Sequence, residues 1–244
     1  MGKTGNPDEA FQRFSRFFEG LRSGVQTLSM LLVEPVLLED LTTTLALAPR
    51  IGGELSRRPG LLEILLSVTD TKRDQDKDAE TDFETAMDLV RKWHGERAFL
   101  IGHRLLHGKI AARDAAADWS DLADVTVRLM AKAAECETVR RYGEPPGQWC
   151  VAGLGKFGGQ EMTAGSDLDL LVIYDAVDPS EAQTWFTRFT QRLITALSAE
   201  TGEGALYEVD MRLRPSGRAG PVATSLSSFN RYHSENAWTW EHMA

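Results

Sequence analysis

Apolar residues recur at three- and four-residue spacing along the first part of the chain, and the period changes after residue 148. Phe11, Phe14, Phe18, Leu21 and Val25 follow the helical spacing behind Asp8, which predicts an amphipathic helix with Asp8 as its N-cap. Pro35, Pro49 and Pro59 divide the next stretch into short helices, because each proline disfavours helical geometry in the residue before it. Phe83, Met87, Leu89 and Val90 form a further stripe from about Asp82. Another begins at Ser120 with Leu122, Val125, Leu129 and Ala133, and Gly143 is placed to end it. Residues 70–80 (DTKRDQDKDAE) carry no apolar anchor and are expected to form a solvated loop.

Beyond the junction the pattern is strand-like. Residues 149–154 form a short apolar run, and residues 168–174 a strongly β-prone one, with a glycine-rich turn between them. Residues 180–199 return to helical spacing through Trp185, Phe189, Leu193 and Leu197, and residues 205–213 alternate like a strand. The expected fold class is α+β: an all-helical region at 1–145, then a domain at 146–244 with a small mixed sheet.

Composition narrows the function classes. The chain has 244 residues, 42% hydrophobic and 26% charged, which excludes wholesale disorder and fibrous repeats. Its net charge of −9 and pI near 5.1 argue against nucleic acid as the main partner and favour a protein or small molecule. Two cysteines, Cys136 and Cys150, are too few for a disulfide scaffold, and no apolar run reaches membrane-spanning length. The first seven residues lack a signal-peptide pattern, so a cytoplasmic protein without membrane attachment is expected.

The chemistry concentrates in Gly155-Lys156-Phe157-Gly158-Gly159, followed by Ser166-Asp167-Leu168-Asp169. In a strand, residues i and i+2 share a face, so Asp167 and Asp169 present two carboxylates side by side. Adjacent carboxylates call for a cation, and Mg²⁺ is commonly held by one or two carboxylates together with substrate phosphates. The glycines let backbone N–H groups approach phosphate oxygens, and Ser166 adds a hydroxyl. A later strand-like run puts Glu208, Asp210, Arg212 and Arg214 on one face. If that strand lies beside the acid pair, Asp210 completes a carboxylate triad for two-metal phosphoryl transfer. His103 and His107 stand at a zinc-binding spacing, but Arg104 occupies the place of a metalloprotease glutamate and no zinc is expected there.

The glycine pair before an Asp-x-Asp strand, with a third acid on a later strand, resembles the polymerase β-like nucleotidyltransferase superfamily. Residues 153–175 (GLGKFGGQEMTAGSDLDLLVIYD), 207–225 (YEVDMRLRPSGRAGPVATS) and 237–244 (AWTWEHMA) resemble bacterial glutamine synthetase adenylyltransferases more closely, and residues 50–66 resemble the helical region before the catalytic domain of that family. That family has two nucleotidyltransferase halves, one adding AMP to a tyrosine of glutamine synthetase and one removing it by phosphorolysis. The DMRLRPSG form and the AWTWEH ending resemble the adenylylating half. The resemblance implies two Mg²⁺ ions at Asp167, Asp169 and Asp210, ATP as substrate, and glutamine synthetase and the PII signal protein as partners. It implies that the turn at Gly158, Gly159 and Ser166 holds the leaving phosphates, with Asp210 either sharing a metal or accepting the tyrosine proton. Lys156 contacts phosphate or lies in solvated loop, and Arg212 and Arg214 either clamp the triphosphate or neutralise Glu208 or a neighbouring acid. Trp238, Trp240 and His242 bind adenine or a protein, or pack in a core or interdomain contact. Removal of AMP and non-catalytic nucleotide sensing remain the alternative functions. The family's enzymes are far longer, so the chain is expected to be a piece truncated at the C-terminal end of its catalytic domain.

Overall fold

The computed structural model describes residues 6–21, 24–66, 82–212, 215, 217, 220–239 and 241. The polar run at 70–80 lies outside them. The chain divides into two compact units, Met1–Arg73 with Gly95–Ala115 and Asp74–His94 with Ala116–Ala244.

The first unit contains α1 (Pro7–Glu19), α2 (Gly24–Val33), α3 (Pro35–Leu47), α4 (Pro49–Arg57), α5 (Leu61–Leu66) and the later part of α6 (Phe83–Leu106). Prolines 7, 35 and 49 open their helices, where a missing N–H costs nothing. The cap of α1 is Asn6 and not Asp8: its side-chain oxygen accepts the Glu9 N–H at 3.4 Å, which leaves Pro7 as the first helical residue. Phe17, Leu31, Leu41, Leu45, Leu55, Leu61, Leu62 and Phe99 form the core, and each such side chain stabilises the fold by ~1.5–3 kcal/mol on burial. Phe14, Phe18 and Leu21 border that core, whereas Phe11 is exposed because α1 presents Ala10 and Phe17 inward.

The second unit holds the start of α6, most of α7 (Ala112–Tyr142), β1 (Gly147–Leu154), α8 (Gly155–Gly158), β2 (Leu168–Ala176), α9 (Pro179–Ser198), β3 (Val209–Asp210), β4 (Ala223–Ser225) and α10 (Leu226–Glu235). Asp82 caps α6 by accepting the N–H groups of Glu84 and Thr85, both at 3.1 Å. α7 starts well before Ser120, whose buried hydroxyl donates to the Ala116 carbonyl at 2.9 Å inside the helix and so caps nothing. Gly143 ends α7 with φ of 81° and its N–H on the Val139 carbonyl.

β2 is the centre of a mixed sheet. It runs antiparallel to β1 from Gly147↔Ala176 to Leu154↔Asp169, and parallel to both β3 and β4. Leu168, Leu170, Val172 and Tyr174 share one face and pack under α9, where Tyr174 stacks on Phe186 at 4.4 Å. Trp185, Phe189, Leu193 and Leu197 of α9 are buried against that face, as their spacing predicts. The predicted strand over 205–213 shrinks to β3 because Leu206 and Tyr207 both donate their N–H groups to the Leu197 carbonyl at the end of α9. Helices first and a small mixed sheet after them is the α+β order expected from the sequence, consistent with a polymerase β-like nucleotidyltransferase fold.

Candidate active site

The site is built around the first residues of β2. Leu168 is fully buried under α9, so its neighbours Asp167 and Asp169 alternate towards the opposite face, and both are half-buried. Asp210 of β3 is the parallel register partner of Asp169, which puts the third acid beside the pair on the same face. Leu154 of β1 is the antiparallel partner of Asp169, and the chain turns over that carboxylate at Gly155. Gly155 has φ of 53°, the left-handed conformation that favours glycine, and a Cβ added there would lie 2.5 Å from Asp169 Oδ2, so that carboxylate would have to shift.

The Asp169 carboxyl is pushed above its ordinary value, first by burial and then by the negative charges of Asp167 and Asp210, with Arg212 and Lys156 opposing. Arg212 sits on Asp210: its backbone N–H donates to Oδ1 at 2.8 Å and its Nε to Oδ2 at 2.6 Å, and Nη2 approaches the same oxygen. The backbone bond is an Asx turn that ends β3, so Arg212 lies in a turn rather than on a strand face with Glu208. Among the described residues the ligand atoms of the three acids do not all fall within 4.8 Å of one another, since Asp210 is directed onto Arg212. Arg214, Trp240 and His242 lie outside the described residues. Trp238 is exposed, with its N–H donated to Glu241.

Lys156, Gly158 and Gly159 are exposed in and just after α8. A Cβ on Gly158 would stand 2.5 Å from the Gly153 carbonyl oxygen, and the Gly159 N–H donates to the Gly155 carbonyl at 2.9 Å, so this turn is held by its own backbone. Ser166 is buried. Its Oγ accepts the Thr163 N–H at 2.9 Å and lies 3.0 Å from Thr163 Oγ1, which closes the loop entering β2. Thr163 is a position absent from the sequence expectations, and Gly155 is expected there only as one of the turn glycines. The Thr-x-x-Ser spacing signals the first, whereas the second depends on which residue pairs with Leu154.

Carboxylate oxygens such as those of Asp167, Asp169 and Asp210, the central one destabilised by its neighbours' charge, are the donor chemistry that Mg²⁺ takes, and Asp210 would have to turn from Arg212 to join the other two. A cavity of about 580 Å³ lies between α7, β1 and the α8 turn, with Trp149, Val151, Gly153, Phe157 and Gly158 in its wall. Trp149, Val151 and Gly153 pair with Tyr174, Val172 and Leu170, so the β1 wall of the cavity is on the sheet face opposite Asp169, while Gly158 belongs to the turn of the site.

Residues 38–244 match the family described as Glutamate-ammonia ligase adenylyltransferase. The chain is 45% identical, over 99% of its length, to a protein of Caulobacter vibrioides named bifunctional glutamine synthetase adenylyltransferase/adenylyl-removing enzyme. Proteins of the same name from Agrobacterium fabrum and Mesorhizobium japonicum are 43% and 40% identical over the whole chain. The chain spans 26–27% of the length of these relatives.

Proposed function

We propose, for a chain that belongs to the glutamate-ammonia ligase adenylyltransferase family, that it transfers AMP from ATP to a tyrosine hydroxyl of glutamine synthetase. The observation that carries this reading is the placement of Asp169 and its register partner Asp210 on one sheet face, with Asp167 beside them and the left-handed Gly155 over the Asp169 carboxylate. These acids would hold two Mg²⁺ ions. Bound Mg²⁺ supplies charge neutralisation for the triphosphate and acidifies an entering hydroxyl.

The tyrosine Oη forms a bond to the α-phosphorus, the bond from that phosphorus to the β-bridging oxygen breaks, and pyrophosphate leaves with those electrons. A tyrosine hydroxyl has an ordinary pKa near 10, so about one in a thousand is ionised at neutral pH, and its proton needs an acceptor. Asp210 either takes that proton or shares in holding the cations. Lys156 and Arg212 are exposed cations bordering the acids, suited to contact the phosphates, and Arg214 joins them on sequence grounds. Gly158, Gly159 and Ser166 shape the turn against which the leaving phosphates would lie.

The relatives' name also includes removal of AMP, which keeps the reverse direction as a second reading. Two incubations separate them: α-labelled ATP with unmodified glutamine synthetase, and adenylylated glutamine synthetase with phosphate. Label on glutamine synthetase is the expected result. Release of ADP in the second tube without label in the first would assign removal instead.

A further inference from the structure

One cluster of ligand-type side chains in the first unit has no part in this chemistry. Asp40 of α3 faces two imidazoles, His103 in the last turn of α6 and His107 in the turn just after it: Oδ1 is 3.1 Å from His107 Nδ1, and Oδ2 is 3.8 Å from His103 Nε2. Among the described residues, these are the three whose ligand atoms lie within 4.8 Å of one another.

His103 is 3% exposed, and its Nε2 has no hydrogen-bond partner. Native folds seldom leave such an atom unsatisfied without a ligand, water or ion to meet it. The second imidazole is keyed from behind, because His107 Nε2 lies 3.1 Å from the buried Thr44 Oγ1. An Nε2–H donated to Thr44 leaves the Nδ1 lone pair facing Asp40, the outer support that metal-bound histidines usually have. Four zinc ligands at about 2.0–2.1 Å in a tetrahedron stand roughly 3.3–3.4 Å apart. The two nitrogen–oxygen separations, one to each oxygen of the Asp40 carboxylate, lie either side of that spacing. Lys109 is the resident competitor: its Nζ donates to Asp40 Oδ2 at 2.6 Å, and it is half exposed, so it can swing into water.

We propose that Asp40, His103 and His107 bind a divalent transition-metal cation, of which Zn²⁺ is the type, with a water in the fourth position and Lys109 displaced. The cation ties α3 to the last turn of α6. Arg104 does not weigh against it, since the third ligand comes from another helix and not from a metalloprotease motif.

The test is titration of the metal-free full chain with Co²⁺, followed by Zn²⁺. One equivalent of Co²⁺ is expected to give the visible absorption of a low-coordinate nitrogen and oxygen site, without a thiolate charge-transfer band, and one equivalent of Zn²⁺ to bleach it. Asp40→Asn and His107→Gln should weaken binding by about tenfold or more. Lys109→Ala, at an exposed position that leaves folding intact, should strengthen it. The Asp167→Asn, Asp169→Asn double variant should bind unchanged, which separates this site from the carboxylate face. Absence of a bound equivalent overturns the proposal. So does binding that is insensitive to Asp40→Asn and His107→Gln, weaker binding by Lys109→Ala, or loss of the absorption in the Asp167, Asp169 variant.

Discussion

Asp169 carries a negative charge where the sheet makes charge costly. Its folded-state carboxyl is raised by burial, Asp167 and Asp210, so the folded form takes up a proton more readily than the unfolded chain. The stability deficit is therefore fully present above the raised value and is relieved as pH falls through it. Asp169→Asn removes the repulsion, and the melting temperature is expected to rise by about 1–3 °C at pH 8, with a smaller gain at a pH inside the carboxylate range. Activity moves the other way, falling by about 10²-fold or more. Thermal melts at the two pH values beside a transfer assay check both. Gly155→Ala acts on the same carboxylate from above: the left-handed backbone and the contact with Oδ2 should cost about 1–2 kcal/mol in urea unfolding and lower the transfer rate. The acid pair is legible in sequence because alternation alone puts residues i and i+2 on one face. Gly155 is not legible as more than a turn glycine, because the demand on it comes from a strand pairing.

At the scale of elements, the helix ends hold charges that the apolar pattern does not reveal. Arg91 of α6 is 2% exposed and donates from Nη2 to the carbonyls of Ala196 and Ala199, at 2.9 and 2.8 Å, capping the C-terminal end of α9. Arg91→Ala leaves those carbonyls unmet and opens a void, an expected loss of about 2–4 kcal/mol in urea unfolding. Near the end of α7, the Arg140 guanidinium, with Arg141 beside it, holds the Glu137 carboxyl below the usual range. That contribution is present above the ordinary carboxylate pKa and is lost as pH falls through the lowered one. Glu137→Gln should thus cost on the order of 0.5–1 kcal/mol at pH 7, with the gap to wild type closing below the carboxylate range, as measured by unfolding across pH. α9 is read correctly from its apolar spacing because one face of it is wholly buried. The start of α7 and the length of β3 are not, since a Ser hydroxyl bonded inside a helix and two N–H groups claimed by α9 have no signature in hydrophobic period.

For the whole molecule, family membership rests on contiguous motifs that survive in any fragment containing them, which is why it is visible without coordinates. The Asp40, His103 and His107 group is the opposite case, gathered from two helices distant in sequence. A net charge of −9 argues against nucleic acid as the main partner. Among the described residues no helix is long and apolar enough to cross a membrane. The central claim is that the face formed by Asp167, Asp169 and Asp210 is where AMP changes hands. Its most direct measurement is the rate at which label from α-labelled ATP appears on unmodified glutamine synthetase, with Mg²⁺ present, for wild type, Asp167→Asn and Asp169→Asn chains, each assayed well below its melting temperature. Transfer by wild type and its near-complete loss in both variants is the expected result. Label arriving at the wild-type rate in either variant would contradict it.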